Sequence, residues 1–203
     1  MGLHTLHLAT PELEADLGFM QVLGYALCEL EEPHARLIPG EGPELQLEAG
    51  GGPARLVPVF AGLGPREDLE GNPLRYAPPP GGAVTQGQAR VLGPVLPVVD
   101  LPSSLAWYER QLGLAEAFSE ADTGWAELIH PGGGRIVLAF APDLDTPAML
   151  ALKVRDAAAE VERMREYDYL PVWTRSVPWG RMAAYAAPGG LPVLLVEANS
   201  SSG

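Results

Sequence analysis

The sequence predicts an α+β protein in which repeated β-α-β-β-β modules form a cupped mixed sheet with helices outside. Three observations lead there. The stretch 95–113 reads as one buried strand feeding one short helix. The same order of elements can be traced at 3–48, at 93–141 and at 147–198. The copies also register by offset. A shift of 89 puts Leu3 on Leu92, Phe19 on Tyr108, Leu23 on Leu112 and Gly24 on Gly113, and a shift of 56 puts Val98 on Val154 and Asp100 on Asp156. Such offsets mark duplicated supersecondary units. Each unit alone leaves a sheet face bare, and two can pair edge to edge around a shared cavity.

The elements follow in order. Residues 3–9 alternate loosely and read as a strand. Thr10 offers an N-cap and Pro11 a first helical residue, and Leu13, Leu17 and Met20 form the stripe of the helix that follows. Strands are expected near 25–30, 35–38, 44–48 and 54–60. Residues 61–90 hold many Gly and Pro and no helical stripe, so they read as a linker or a lid. In the next unit Asp100 and Pro102 open a helix, Leu101, Leu105, Tyr108 and Leu112 form its stripe, and Gly113 suits a left-handed end. Strands are expected at 116–119, 125–129 and 135–140. In the last unit, strand 149–154 leads to a helix capped by Asp156 and carrying Ala158, Val161 and Met164, then to strands at 171–174, 180–186 and 191–197. The organisation expected is a degenerate module at 1–60, the segment 61–90, paired modules at 91–198 and a loose tail at 199–203.

Composition excludes several function classes. Net charge is −13 over 203 residues, and both halves are acidic. With no basic patch for phosphate backbones, nucleic acid is not expected as a partner. No apolar run approaches the roughly 18 residues of a membrane span, and no basic leader opens the chain, so a cytoplasmic protein with no membrane partner is expected. Cys28, the sole cysteine, rules out an intrachain disulfide or a thiolate cluster, and its strand-like surroundings suggest a buried, inert thiol.

Several motifs resemble the vicinal oxygen chelate superfamily, which includes glyoxalase I, bleomycin-resistance proteins and extradiol dioxygenases. They are Val98-Val99-Asp100-Leu101, Trp107-Tyr108 and Gln111-Leu112-Gly113, with Trp179-Gly180-Arg181, Ala187-Pro188-Gly189-Gly190 and Leu194-Leu195-Val196-Glu197 near the end. The resemblance covers 92–198 well, 3–48 fairly and 54–90 not at all. It implies a cupped sheet, a small-molecule ligand and a homodimer. In metal-dependent members a His on the first strand and a Glu on the last strand of paired units hold a divalent ion such as Fe, Mn, Ni or Zn. Those positions fall on Gly93, near Val137, near Ala148 and on Leu194, none of which binds a metal. In the first unit they fall on His4 and Gln46, with Glu44, Glu48 and His7 nearby.

The expected function is therefore metal-free binding of a small aromatic or cationic molecule, with no cofactor. Trp173, Trp179, Arg181, Tyr185, Trp125 and Glu127 are the expected ligand-binding residues, because aromatic and charged side chains on cavity-lining strands suit a planar or charged ligand. No catalytic residue is assigned. Each has a bland counterpart: Tyr185 as core, Arg181 and Glu127 as surface, the tryptophans as plugs. The alternative is a metal-dependent lyase or ring-cleaving dioxygenase using His4, Gln46 and Glu48. His4 and His7 are three apart on a predicted strand and so point to opposite faces. His34 and His130 sit beside prolines and read as exposed turn residues.

Overall fold

In the computed structural model, residues 2–81, 86–142 and 146–198 are described. The expected tail at 199–203 lies outside them, as do 82–85 of the 61–90 segment and 143–145 of the last connection.

Three β-α-β-β-β units are present. The first comprises β1 (Leu3–Thr10), α1 (Leu13–Val22), β2 (Ala26–Glu31), β3 (His34–Ile38) and β4 (Glu44–Ala49). Two strands follow, β5 (Arg55–Phe60) and the short β6 (Arg75–Tyr76). The second unit runs through β7 (Val91–Val98), α2 (Leu101–Leu112), β8 (Ala115–Glu120), β9 (Trp125–Ile129) and β10 (Arg135–Phe140). The third has β11 (Met149–Lys153), α3 (Ala157–Arg165), β12 (Trp173–Val177), β13 (Gly180–Ala186) and β14 (Pro192–Ala198).

In every unit the first strand pairs parallel with the last: β1 with β4, β7 with β10, β11 with β14. The second and third units join through their first strands, β7 and β11, which pair antiparallel. This gives an eight-stranded mixed sheet in the order β12-β13-β14-β11-β7-β10-β9-β8. The near-continuous apolar run of β7 fits its place: flanked by two strands, it is buried along its whole length. The first unit has no full partner. Its β1 pairs antiparallel with β5, and β6 extends that edge, giving the six-stranded order β2-β3-β4-β1-β5-β6.

Helix ends largely follow local chemistry. Asp100 caps α2 by accepting from the Ser103 N–H, and Gly113 closes it at φ 66°. Asp156 caps α3 by accepting from the N–H groups of Ala158 and Ala159. The expected cap of α1 is corrected. The N-cap is Glu12, with no side-chain bond. Thr10 instead accepts from the Glu12 N–H and donates to the buried Asp16 carboxylate, which needs donors more than the helix end does. On α3, Ala157 rather than Ala158 is buried with Val161 and Met164.

The helices cover one face of each sheet, and a single apolar core joins those faces, including Leu6, Phe19, Leu96, Tyr108, Met164 and Tyr185. A second cluster, with Val95, Val137, Ala151, Met182 and Leu194, fills the opposite, concave face of the eight-stranded sheet. The described part of 61–90 is no lid over that cup. Its residues 68–72 dock on the helix side, where Tyr108 Oη donates to Asp68 at 2.6 Å, Ser104 Oγ to Glu70 at 2.6 Å, and Asn72 Nδ2 to the Pro97 carbonyl at 3.0 Å. The expectation of a buried, inert Cys28 thiol is corrected: Cys28 is exposed on β2, the edge strand of its sheet. His34 is exposed as expected, whereas His130 is half-buried and accepts from the Gly132 N–H. Among the described residues no helix is long and apolar enough to cross a membrane.

Candidate ligand-binding site

The concave face of the eight-stranded sheet is built by strand alternation. Trp125 and Glu127 stand two apart on β9, and so share a face. They pair with Ala139 and Val137 of β10, and Phe118 of β8 pairs with Glu127 from the other side. Trp179 arrives from the β12–β13 turn. Its ring lies 5.4 Å from that of Trp125 at an interplanar angle of 36°, and 5.9 Å from Phe118 at 73°. Phe118, Glu127 and Trp179, together with Leu92, Arg135, Lys153 and Val196, border a niche of about 250 Å³, and Trp125 packs behind them against the Trp179 ring.

The polar edge of the niche is ordered. Glu127, only 12% exposed at its side chain, forms an ion pair through Oε2 with Arg135 Nη1. Its Oε1 accepts from Trp125 Nε1 at 3.4 Å. Both carboxylate oxygens are therefore engaged by the protein. Lys153 is exposed, sits beside Val196 in register, and has no carboxylate partner among the described residues.

Of the six expected ligand-binding residues, Trp179 and Glu127 border the niche, and Trp125 supports both, its ring against Trp179 and its Nε1 on Glu127. The other three lie elsewhere. Tyr185 is 2% exposed within the helix-side core. Arg181, on the same face of β13 as Tyr185, borders a groove with Glu162 and Arg165 of α3. Trp173 stands exposed on the edge strand β12, with the Arg175 guanidinium 6.0 Å from its ring centre. Phe118, Arg135 and Lys153 were missed. The tight turn at 131–134 was legible, and counting back from it would have brought Arg135 opposite the Glu127 strand.

A metal does not fit the middle of this cup. There Val95 pairs with Val137 and Met149, and Ala151 pairs with Gly93 and Leu194. Val95, Val137 and Ala151 are fully buried, and apart from the soft Met149 thioether these side chains offer no donor atom to a divalent ion. Gly93 has no room for any side chain, since a Cβ would meet the Arg135 carbonyl oxygen at 2.2 Å.

In the six-stranded sheet, His4, Gln46 and Glu48 are not brought together. His4 Nε2 donates to the Ala77 carbonyl at 3.1 Å, leaving Nδ1 to accept from Thr5 Oγ1 at 2.8 Å, so both ring nitrogens are occupied. His7 takes the place beside Gln46 and bonds Glu48 at 2.8 Å through Nε2. Burial, and then the nearby Arg75 charge, hold its pKa below the ordinary imidazole value. His34 approaches the other Glu48 oxygen to 3.6 Å, and Arg36 is tied to Glu44 by two hydrogen bonds. Among the described residues no three His, Cys, Asp or Glu are disposed to hold a metal ion.

A wider groove of about 1200 Å³ runs between α1, α3 and residues 86–90. It gathers no aromatic cluster, and its Arg90 and Arg163 are paired with Glu41 and Glu160.

No family model and no curated protein matches the chain. Solved structures do. It is similar to BphC, a halotolerant catechol dioxygenase, at 17% identity and a TM-score of 0.61, over 100% of this chain and 89% of that one. It is similar to the Mn(II)-bound glyoxalase from Novosphingobium aromaticivorans at 12% identity and a TM-score of 0.68, over 96% and 81%. A variant of homoprotocatechuate 2,3-dioxygenase from B. fuscum, in complex with HPCA, matches at 14% identity and a TM-score of 0.68, over 97% and 71%. At these identities the likeness is one of fold.

Proposed function

We propose that this chain, which has the fold of the vicinal oxygen chelate superfamily, binds a small aromatic or cationic molecule, without a metal, in the niche at the end of its eight-stranded cup. One observation carries the reading: the tilted Trp125–Trp179 pair stands beside the ordered Glu127–Arg135 ion pair. Flat apolar walls with a few convergent polar groups are what an orienting small-molecule site requires. The niche, about 250 Å³, is smaller than the pockets that take drug-sized ligands, which suits a molecule of one ring. The metal-free reading rests on the donor set. The centre of the cup is apolar, and His4 is bonded away from Gln46 and Glu48. The competing reading, a metal-dependent lyase or dioxygenase, needs those three residues to converge.

Calorimetric titration with benzyl alcohol, a neutral single-ring probe, tests the site. Saturable binding is expected, weakened about tenfold by Trp179→Ala, the scale of a lost aromatic contact. Trp173→Ala should leave it unchanged. Binding that depends on Trp173 and ignores Trp179 would move the site to the sheet edge. Near-stoichiometric retention of Fe, Mn, Ni or Zn, lost on His4→Ala, would restore the enzyme reading.

A further inference from the structure

We infer that the occupant of the niche is a single-ring aromatic anion, such as a carboxylate, and that Lys153 supplies the charge that selects it; this rests on the ring-binding reading above. Composition alone points the other way, since a chain of net charge −13 should favour cations. The local arrangement reverses that expectation. The niche is bordered by one carboxylate and two cations. Glu127 is spent within the protein, on Arg135 through one oxygen and on Trp125 Nε1 through the other. A cationic guest would have to compete with Arg135 for it. Lys153 remains uncompensated among the described residues, so the niche carries one net positive charge.

Geometry agrees with charge. Lys153 ends β11 in register with Val196 of β14, and Val196 belongs to the cluster on the concave face. Strand alternation puts Lys153 on the same face as Ala151 and Met149, both of that cluster. Its ammonium group and the N–H groups of Arg135 not used by Glu127 can both donate to an anion. Trp179 and Phe118 give the ring its walls. A carboxylate between two such donors forms charge-assisted hydrogen bonds, the stronger class. Lys153 is thus a specificity-determining residue.

Lys153 is the only lysine in the chain, which makes the test clean. Reductive ¹³C-methylation keeps the charge and gives one side-chain dimethylamine signal, distinct from that of the N-terminus. The probes are benzoate, benzyl alcohol and benzyltrimethylammonium, titrated by that signal and by calorimetry. Benzoate should bind most tightly and shift the Lys153 signal. Lys153→Gln should weaken benzoate by about tenfold or more, the scale of one charged hydrogen bond, and change benzyl alcohol less than twofold. Lys153→Arg should restore most of the benzoate affinity. Tighter binding of the ammonium probe, or equal losses for benzoate and benzyl alcohol in Lys153→Gln, would overturn the anion inference and leave the ring-binding reading standing. Failure of all three probes to bind would overturn both.

Discussion

At His7, burial and then the Arg75 charge oppose protonation, the Glu48 hydrogen bond favours it, and the balance falls below the ordinary value of 6.5. The sign of the consequence follows. The unfolded chain takes up a proton near pH 6.5, while the folded chain resists it until lower pH. Stability from this group is therefore full above about pH 6.5 and declines as pH falls through and below that value. Urea midpoints measured at about pH 7.5 and 5.5 should drop less in His7→Gln than in the parent chain. Equal drops would assign the pH dependence to other groups. The neighbouring His4 shows how much one position matters. The register of β1 against β5 shifts between Leu3 and Thr5, so His4 sits at an irregularity and turns to the Ala77 carbonyl.

Among the elements, α2 was the most legible, because its signals lie within a few residues: Asp100 for the cap, Pro102 at the start, Gly113 at the end. The segment before it was the least legible. Read as linker or lid, its residues 68–72 are a strap fixed to α2 by Tyr108 and Ser104. No periodicity announces such a strap, because its hydrogen bonds join residues some 34 to 40 positions apart. Tyr108→Phe keeps the packing and removes the donor to the buried Asp68. It should cost about 2 kcal/mol, within the range for hydrogen bonds to charged groups, read as a lower urea midpoint at unchanged slope. A loss below roughly 0.5 kcal/mol would mean that Asn72 and the backbone N–H groups already satisfy Asp68. The same dependence on neighbours governs Cys28, whose strand was anticipated and whose exposure follows from its place at a sheet edge.

On the scale of the whole molecule, two sheets share one core. The buried Asp16 of α1 strengthens the join, accepting from the Gly189 N–H of the third unit at 2.8 Å and from Thr10 of its own. A shared core of this kind predicts one cooperative unfolding transition. The four tryptophans, at 107, 125, 173 and 179, all lie in the second and third units, whereas far-ultraviolet circular dichroism reads both sheets. Fluorescence and dichroism midpoints should therefore coincide in urea, and Asp16→Ala should lower both together. Separate midpoints would show that the six-stranded sheet melts on its own.

The sequence by itself determined the repeated units, the order and type of nearly every element, two of the three helix caps and the apolar character of the positions where the resemblance would place metal ligands. All of these depend on residue identity and on periods of two to four residues, which act locally. Only the tertiary structure decided which candidates share a site. It brought Trp179 and Glu127 to one niche with Arg135 and Lys153, set Trp125 behind them, sent Tyr185 and Arg181 to the helix side of the same sheet, and put His7 rather than His4 beside Glu48. The reason is register. Which face a strand residue occupies, and what stands opposite, depends on pairing between strands distant in the chain, where a slip of one residue exchanges the two faces.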